Sequence, residues 1–173
     1  MLRPTSIDVL RCIGRTLDTM IVPALNGVAE RSAAATIGHL LRHVTLRIEH
    51  EGRILHDEIV MLRPLLAQAR DYLQARGAGD PEATRVGASV ERALSATAPT
   101  SSGEYRDVGS LADEVWALRQ GVTDALQYVL ARKSGGADAT AKLHDAIETY
   151  MAWQLERESE LIDPAFEGFG PRR

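Results

Sequence analysis

Between about residue 30 and Gly77, Ile37, Leu41, Val44, Ile48, Leu55, Leu62, Leu66, Ala69 and Leu73 recur at spacings that fall on one side of a helix. The stripe predicts one helix of roughly 70 Å at ~1.5 Å per residue. That is longer than a small bundle uses, so a bend is expected at Gly52 or before Pro64. A chain that commits this many residues to a single amphipathic helix has to bury the stripe against other helices.

Such helices are legible on both sides. The first is expected to start near Thr5 or Ser6, with Asp8 in its first turn, and to place Ile7, Leu10, Ile13, Leu17, Ile21 and Ala24 on one face. Pro23 and Asn26-Gly27 mark its end. Asp80-Pro81-Glu82 offers a cap and a first-turn proline for a short helix over 81–96. Val108, Leu111, Val115, Leu118, Val122, Ala125 and Val129 form a heptad seam, with Ser110 and Asp113 resembling a capping box and Gly135-Gly136 a stop. A last helix runs from near Asp138 through Leu143, Ile147, Met151, Leu155 and Ile162 to Asp163-Pro164. The expected fold is all-α: an antiparallel four-helix bundle with an extra short helix between its second and third members.

Composition agrees. At 173 residues, with 45% hydrophobic and 25% charged residues, the chain reads as one globular domain over 1–173, with a flexible connection at about 97–106 and an irregular tail at 165–173. Its net charge of -4 offers no broad basic surface, so no nucleic-acid partner is expected. No run approaches 18 apolar residues and the opening Met1-Leu2-Arg3-Pro4 carries no secretory pattern, which leads to the expectation of a cytoplasmic protein with no membrane partner. The single Cys12 is expected to be a small, semi-buried helix residue.

Chemistry is sought where polar residues fall in phase with the apolar stripes, because an unpaired buried charge costs several kcal/mol, of order 3–5. Glu51 fills the gap between Ile48 and Leu55, and Glu158 the gap between Leu155 and Ile162; Glu58 lies at the same edge as Glu51, Gln154 precedes Glu158 by four residues on one face, and His144 and Glu148 flank the start of the last stripe. Carboxylates and imidazoles projecting inward from facing helices suit iron or another divalent metal. The metal-ligand candidates are therefore Glu51, Glu158, His144, Glu58 and Glu148. The competing reading gives the acids ion-pair partners, Arg47, Arg53 or Arg157, and these arginines with Gln154 are also candidates for holding an acidic small ligand.

His39, His43 and His50 cluster on a face about 120° away from the stripe. They are expected to meet solvent, another subunit or the first helix; Leu46, Ile54, Met61 and Leu65 on that side suggest cover by a homodimer contact. No nucleophile elbow, phosphate loop, dinucleotide fingerprint or zinc-protease motif is present, and the expectation leans away from enzyme activity.

Two segments, Tyr150-Met-Ala-Trp-Gln-Leu-Glu-Arg-Glu158-Ser-Glu-Leu-Ile-Asp-Pro164 and Arg47-Ile-Glu-His-Glu51-Gly-Arg-Ile-Leu55, resemble the hemerythrin-like, cation-binding bundle family. The resemblance implies the bundle and, in the family, His and Glu metal ligands. Where the family places His four residues before the acid, this chain has Gln154 before Glu158 and Arg47 before Glu51. It therefore implies the architecture rather than the metal centre. The expected function is a small homodimeric binding or interaction protein, with metal binding and anionic-ligand binding as alternatives.

Overall fold

A computed structural model describes residues 4–96, 106–132 and 138–166. Every element in them is helical: α1 (Ser6–Thr16), α2 (Val28–Gly77), α3 (Pro81–Ala96), α4 (Val108–Leu130) and α5 (Asp138–Phe166). None of these helices is long and apolar enough to cross a membrane. The chain divides into two compact units, residues 1–52 with 156–173 and residues 53–155. The connection expected at 97–106, apart from Arg106, the Gly135-Gly136 stop and the tail beyond Phe166 lie outside the described residues.

The second unit holds a continuous core. Leu62, Leu66, Ala69 and Leu73 of α2, the expected stripe, are buried against the α4 seam from Leu111 to Val129 and against Leu143, Ile147 and Tyr150 of α5. Helix α3, expected as an addition to a connection, is a full member of this core through Ala83, Val86, Val90 and Ala93. Its core residues are small: they contribute little to an aliphatic stripe, yet they let helices approach closely. At Gly121 of α4 a Cβ would lie 3.2 Å from both Ala93 Cβ and Leu66 Cδ2. Asp80 caps α3 as expected, accepting from the amides of Glu82 (3.0 Å) and Ala83 (3.2 Å). Helix α4 is capped by Asp107, which accepts from Ser110 N at 2.8 Å, and not by the Ser110–Asp113 box. The upstream acid lies at the position whose side chain meets the free amides.

In the first unit, Thr5 and Asp8 form a reciprocal capping box on α1. The helix ends at Thr16, short of the expected stop, and continues as a wide π-turn over Leu17–Ile21 and a 3₁₀ turn over Val22–Ala24 that takes in Pro23. Cys12 is exposed, contrary to expectation.

Helix α2 remains helical through both Gly52 and Pro64. Pro64 and Val60, whose carbonyl Pro64 cannot serve, are both exposed, so the lost hydrogen bond falls on a side open to water. Pro164, expected to stop the last helix, likewise lies inside α5.

The α2 stripe fails in this first unit. Ile37, Val44 and Ile48 are 49%, 43% and 50% exposed, whereas Ala34 and Gly38 are buried. Buried Leu17 has its Cδ2 3.8 Å from the position of a Gly38 Cβ. Here the smallest residues make the closest contact and the large aliphatics face outward.

Candidate functional site

The proposed metal-ligand set falls in both units, with Glu51 and Glu158 in the first and Glu58, His144 and Glu148 in the second. Glu51 is committed to its neighbour one turn back: Arg47 donates Nε to Oε2 at 2.9 Å and NH2 to Oε1. The pair raises the Arg47 pKa, chiefly through the Glu51 hydrogen bond. Arg157 pairs with Glu160 and Arg53 with Asp57 at 3.4 Å, so all three arginines considered for an anionic ligand already meet acids on their own helices. Glu158 and Gln154 are half-buried on α5.

Glu58 is the most completely buried acid described, at 1% exposure. Arg119 of α4 donates Nε to its Oε1 at 2.6 Å and NH2 to its Oε2 at 2.9 Å, while Tyr150 of α5 donates its hydroxyl to Oε1 at 2.6 Å. Burial, followed by the Glu58 carboxylate, pushes the Tyr150 hydroxyl pKa well above its ordinary range. A guanidinium beside both carboxylate oxygens neutralises the charge a metal would need. Glu58 is therefore a structural anion whose partners join α2, α4 and α5.

A second buried acid repeats the pattern. Glu114 of α4 accepts from Arg63 Nε (3.0 Å) and NH2 (2.5 Å) on Oε1, and Arg106 NH2 lies 2.5 Å from its Oε2. Sequence reasoning missed Glu114, Arg119 and Tyr150 as site residues. The available signal was that Glu114 and Arg119 flank the α4 heptad seam, where a charged side chain is forced into the margin of the core.

Farther along the same unit, Asp80 combines capping with side-chain bonds from Tyr128 OH (2.8 Å) and Arg132 Nε (3.0 Å). Arg132 stacks over the Tyr128 ring, 3.8 Å from its centroid.

His144 is buried near the start of α5. Its Nε2 lies 3.6 Å from Glu148 Oε1 and its Nδ1 3.9 Å from Asp145 Oδ1. One ligand atom from each of the three residues falls within 4.8 Å of the others. Ligand atoms on one cation lie at most ~4.2 Å apart at bonds of ~2.1 Å, and the exposed Asp145 and Glu148 carboxylates are the groups that can turn inward to meet it. Asp145 was not expected here.

Two histidines of this α2 face meet the closing turns of the last helix in the same unit. His43 Nδ1 lies 3.1 Å from Leu161 O, and His39 Nδ1 2.9 Å from Ala165 O, which also accepts from Arg42 Nε at 3.3 Å. Basic side chains of α2 thus serve carbonyls in the closing turns of α5, where the helix dipole is negative. His50 stands apart, with Nε2 4.0 Å from Glu49 Oε2. Leu46 and Met61 are half-buried and Ile54 and Leu65 buried, so this side of α2 is a packed one.

Comparison with family models, curated proteins and solved structures yields no match.

Proposed function

We propose that this chain is a non-catalytic helical binding protein, an antiparallel bundle of the hemerythrin-like kind in architecture, that self-associates through α2 as a homodimer in the cytoplasm. One observation carries the reading: Ile37, Leu40, Val44 and Ile48 fall within about 80° on α2 and are 49%, 54%, 43% and 50% exposed. A contiguous row of aliphatics left to water marks a surface that meets another molecule. A twofold pairing presents the row to itself. A stable dimer requires about 800 Å² per partner, and α1 exposes Val9 and Ile13 in the same unit as additional apolar area.

Sedimentation equilibrium tests the reading. The full chain is expected to be a dimer at micromolar concentration, and Leu40→Glu and Val44→Glu to be monomers with unchanged helix content. A wild-type monomer, or a dimer indifferent to both changes, overturns the proposal.

The second reading, a divalent-metal site, is favoured by the proximity of His144, Asp145 and Glu148. Metal analysis of protein purified without a histidine tag and incubated with iron or manganese is expected to give near-stoichiometric metal under this reading, abolished by His144→Ala. Trace metal unaffected by that substitution removes it.

A further inference from the structure

On the α2 side opposite the exposed row, two cavities lie within the first unit. One, of about 310 Å³, is lined by Leu10, Leu41, Leu46 and Pro164, with Arg11 and Thr45 also on its wall; Arg11 there is held by Glu49. The other, of about 390 Å³, adds Val22, Ala34 and Ala35 to the polar Arg31 and His39. Both are lined by Asp18, Gly38 and Arg42, so they adjoin along these three residues; the arm bearing Leu10, Leu41 and Leu46 is called apolar and the arm bearing Arg31 and His39 polar, after the side chains that each does not share with the other. The π-turn places Asp18 at the junction.

The polar arm carries excess positive charge. Arg47, Arg53 and Arg157 each meet a carboxylate. Arg42 instead directs Nε to a carbonyl, Ala165 O, and NH2 to His39 Nδ1 at 2.8 Å. Among the described residues Arg31 makes no side-chain bond, and neither residue meets a carboxylate. Two guanidinium groups therefore face the single acid Asp18.

The two contacts of His39 Nδ1 are incompatible with one another. An Arg N–H only donates, so His39 Nδ1 must accept from it. Nδ1 then has no proton for Ala165 O, although it lies 2.9 Å away. If Nδ1 instead donates to Ala165 O, its N–H opposes the Arg42 NH2 group. An anion that draws the guanidinium into the cleft frees His39 to donate to Ala165 O.

We propose that this cleft binds a medium-chain aliphatic carboxylate, with its chain in the apolar arm and its head group between Arg42 and Arg31. A carboxylate matches the guanidinium fork, and the adjoining apolar arm selects a chain over a bare ion. The proposal is independent of self-association, because the exposed row lies on another side of α2.

Isothermal titration of the full chain with decanoate, below its micelle concentration, tests this. Saturable binding at one site per chain is expected, with decanol and inorganic phosphate each at least about tenfold weaker, the value of one charge-assisted contact. Arg31→Glu is expected to weaken decanoate by about tenfold or more, and Ala35→Leu, which fills the polar arm, to abolish binding. Arg47→Ala, outside the cleft, is expected to leave it unchanged. Helix content measured on each variant separates lost binding from lost folding. Absence of saturable binding, equal affinity for decanol, or indifference to Arg31→Glu overturns the proposal.

Discussion

Arg119 grips Glu58 through two parallel hydrogen bonds, and the two groups differ in their access to water: the glutamate is 1% exposed and the arginine side chain 33%. This asymmetry determines what each deletion does. Arg119→Met strands a carboxylate inside the core with only Tyr150 as a donor, whereas Glu58→Gln leaves a guanidinium that can turn toward solvent. Breaking such a pair typically costs about 3–5 kcal/mol. Arg119→Met is expected at that level, Glu58→Gln clearly below it, and Tyr150→Phe at about 1.5–3 kcal/mol, the value of a hydrogen bond to a charged group. Urea unfolding of the three variants checks the order.

Acid stability should depend on Asp80. The Tyr128 hydroxyl, then the amides of Ala83 and Glu82 and the Arg132 guanidinium, hold its carboxyl below the ordinary range against a partial burial that raises it. A carboxyl depressed in the folded state contributes stability above its unfolded pKa of about 3.9 and loses that contribution as pH falls through the folded value. Asp80→Asn preserves a capping acceptor but removes the titrating charge. Urea midpoints measured at successive pH values are expected to fall less steeply below about pH 4 for Asp80→Asn than for wild type. Parallel curves contradict the assignment.

Residue size decides where hydrophobic periodicity and packing agree along α2. Where α2 is packed by large aliphatics, from Leu62 to Leu73, periodicity identified both the helix and its buried side. Between Ile37 and Ile48 the same periodicity identified the helix but assigned the wrong side to the interior. The contact there is made by Ala34, Gly38 and basic residues reaching α5 carbonyls, features that a count of large apolar residues gives no weight. Glu58 was recognisable as in phase with the stripe, but its partners were not, because Arg119 and Tyr150 lie 61 and 92 residues away in the chain. Local ion pairs such as Arg47–Glu51 were accessible through their four-residue spacing.

Two helical glycines separate packing from propensity. A Cβ at Gly14 meets nothing within 4 Å, so Gly14→Ala is expected to stabilise by about 0.5–1 kcal/mol. At Gly121 the new methyl lies 3.2 Å from Ala93 Cβ, which is fixed to its backbone, and against both Leu66 methyls. Overpacking of about 1–3 kcal/mol outweighs the propensity gain, and Gly121→Ala is expected to be net destabilising. Thermal unfolding of the two alanine variants should shift in opposite directions.

Glu51 connects stability to self-association. Its side chain is 19% exposed and that of its partner Arg47 50%, and with the guanidinium open to water a pair four residues apart on a helix contributes only about 0.3–0.5 kcal/mol. Glu51→Leu is therefore expected to change the unfolding free energy by no more than about 0.5 kcal/mol. The new leucine also falls in phase with Leu40, Val44 and Ile48, adding a half-buried apolar side chain at the end of the exposed row. Burying one more such side chain in a dimer contact contributes about 1.5–3 kcal/mol, so the dimer dissociation constant should fall by at least about tenfold. Sedimentation equilibrium over a dilution series measures that fall, and an unchanged dissociation constant would place the contact elsewhere on the molecule.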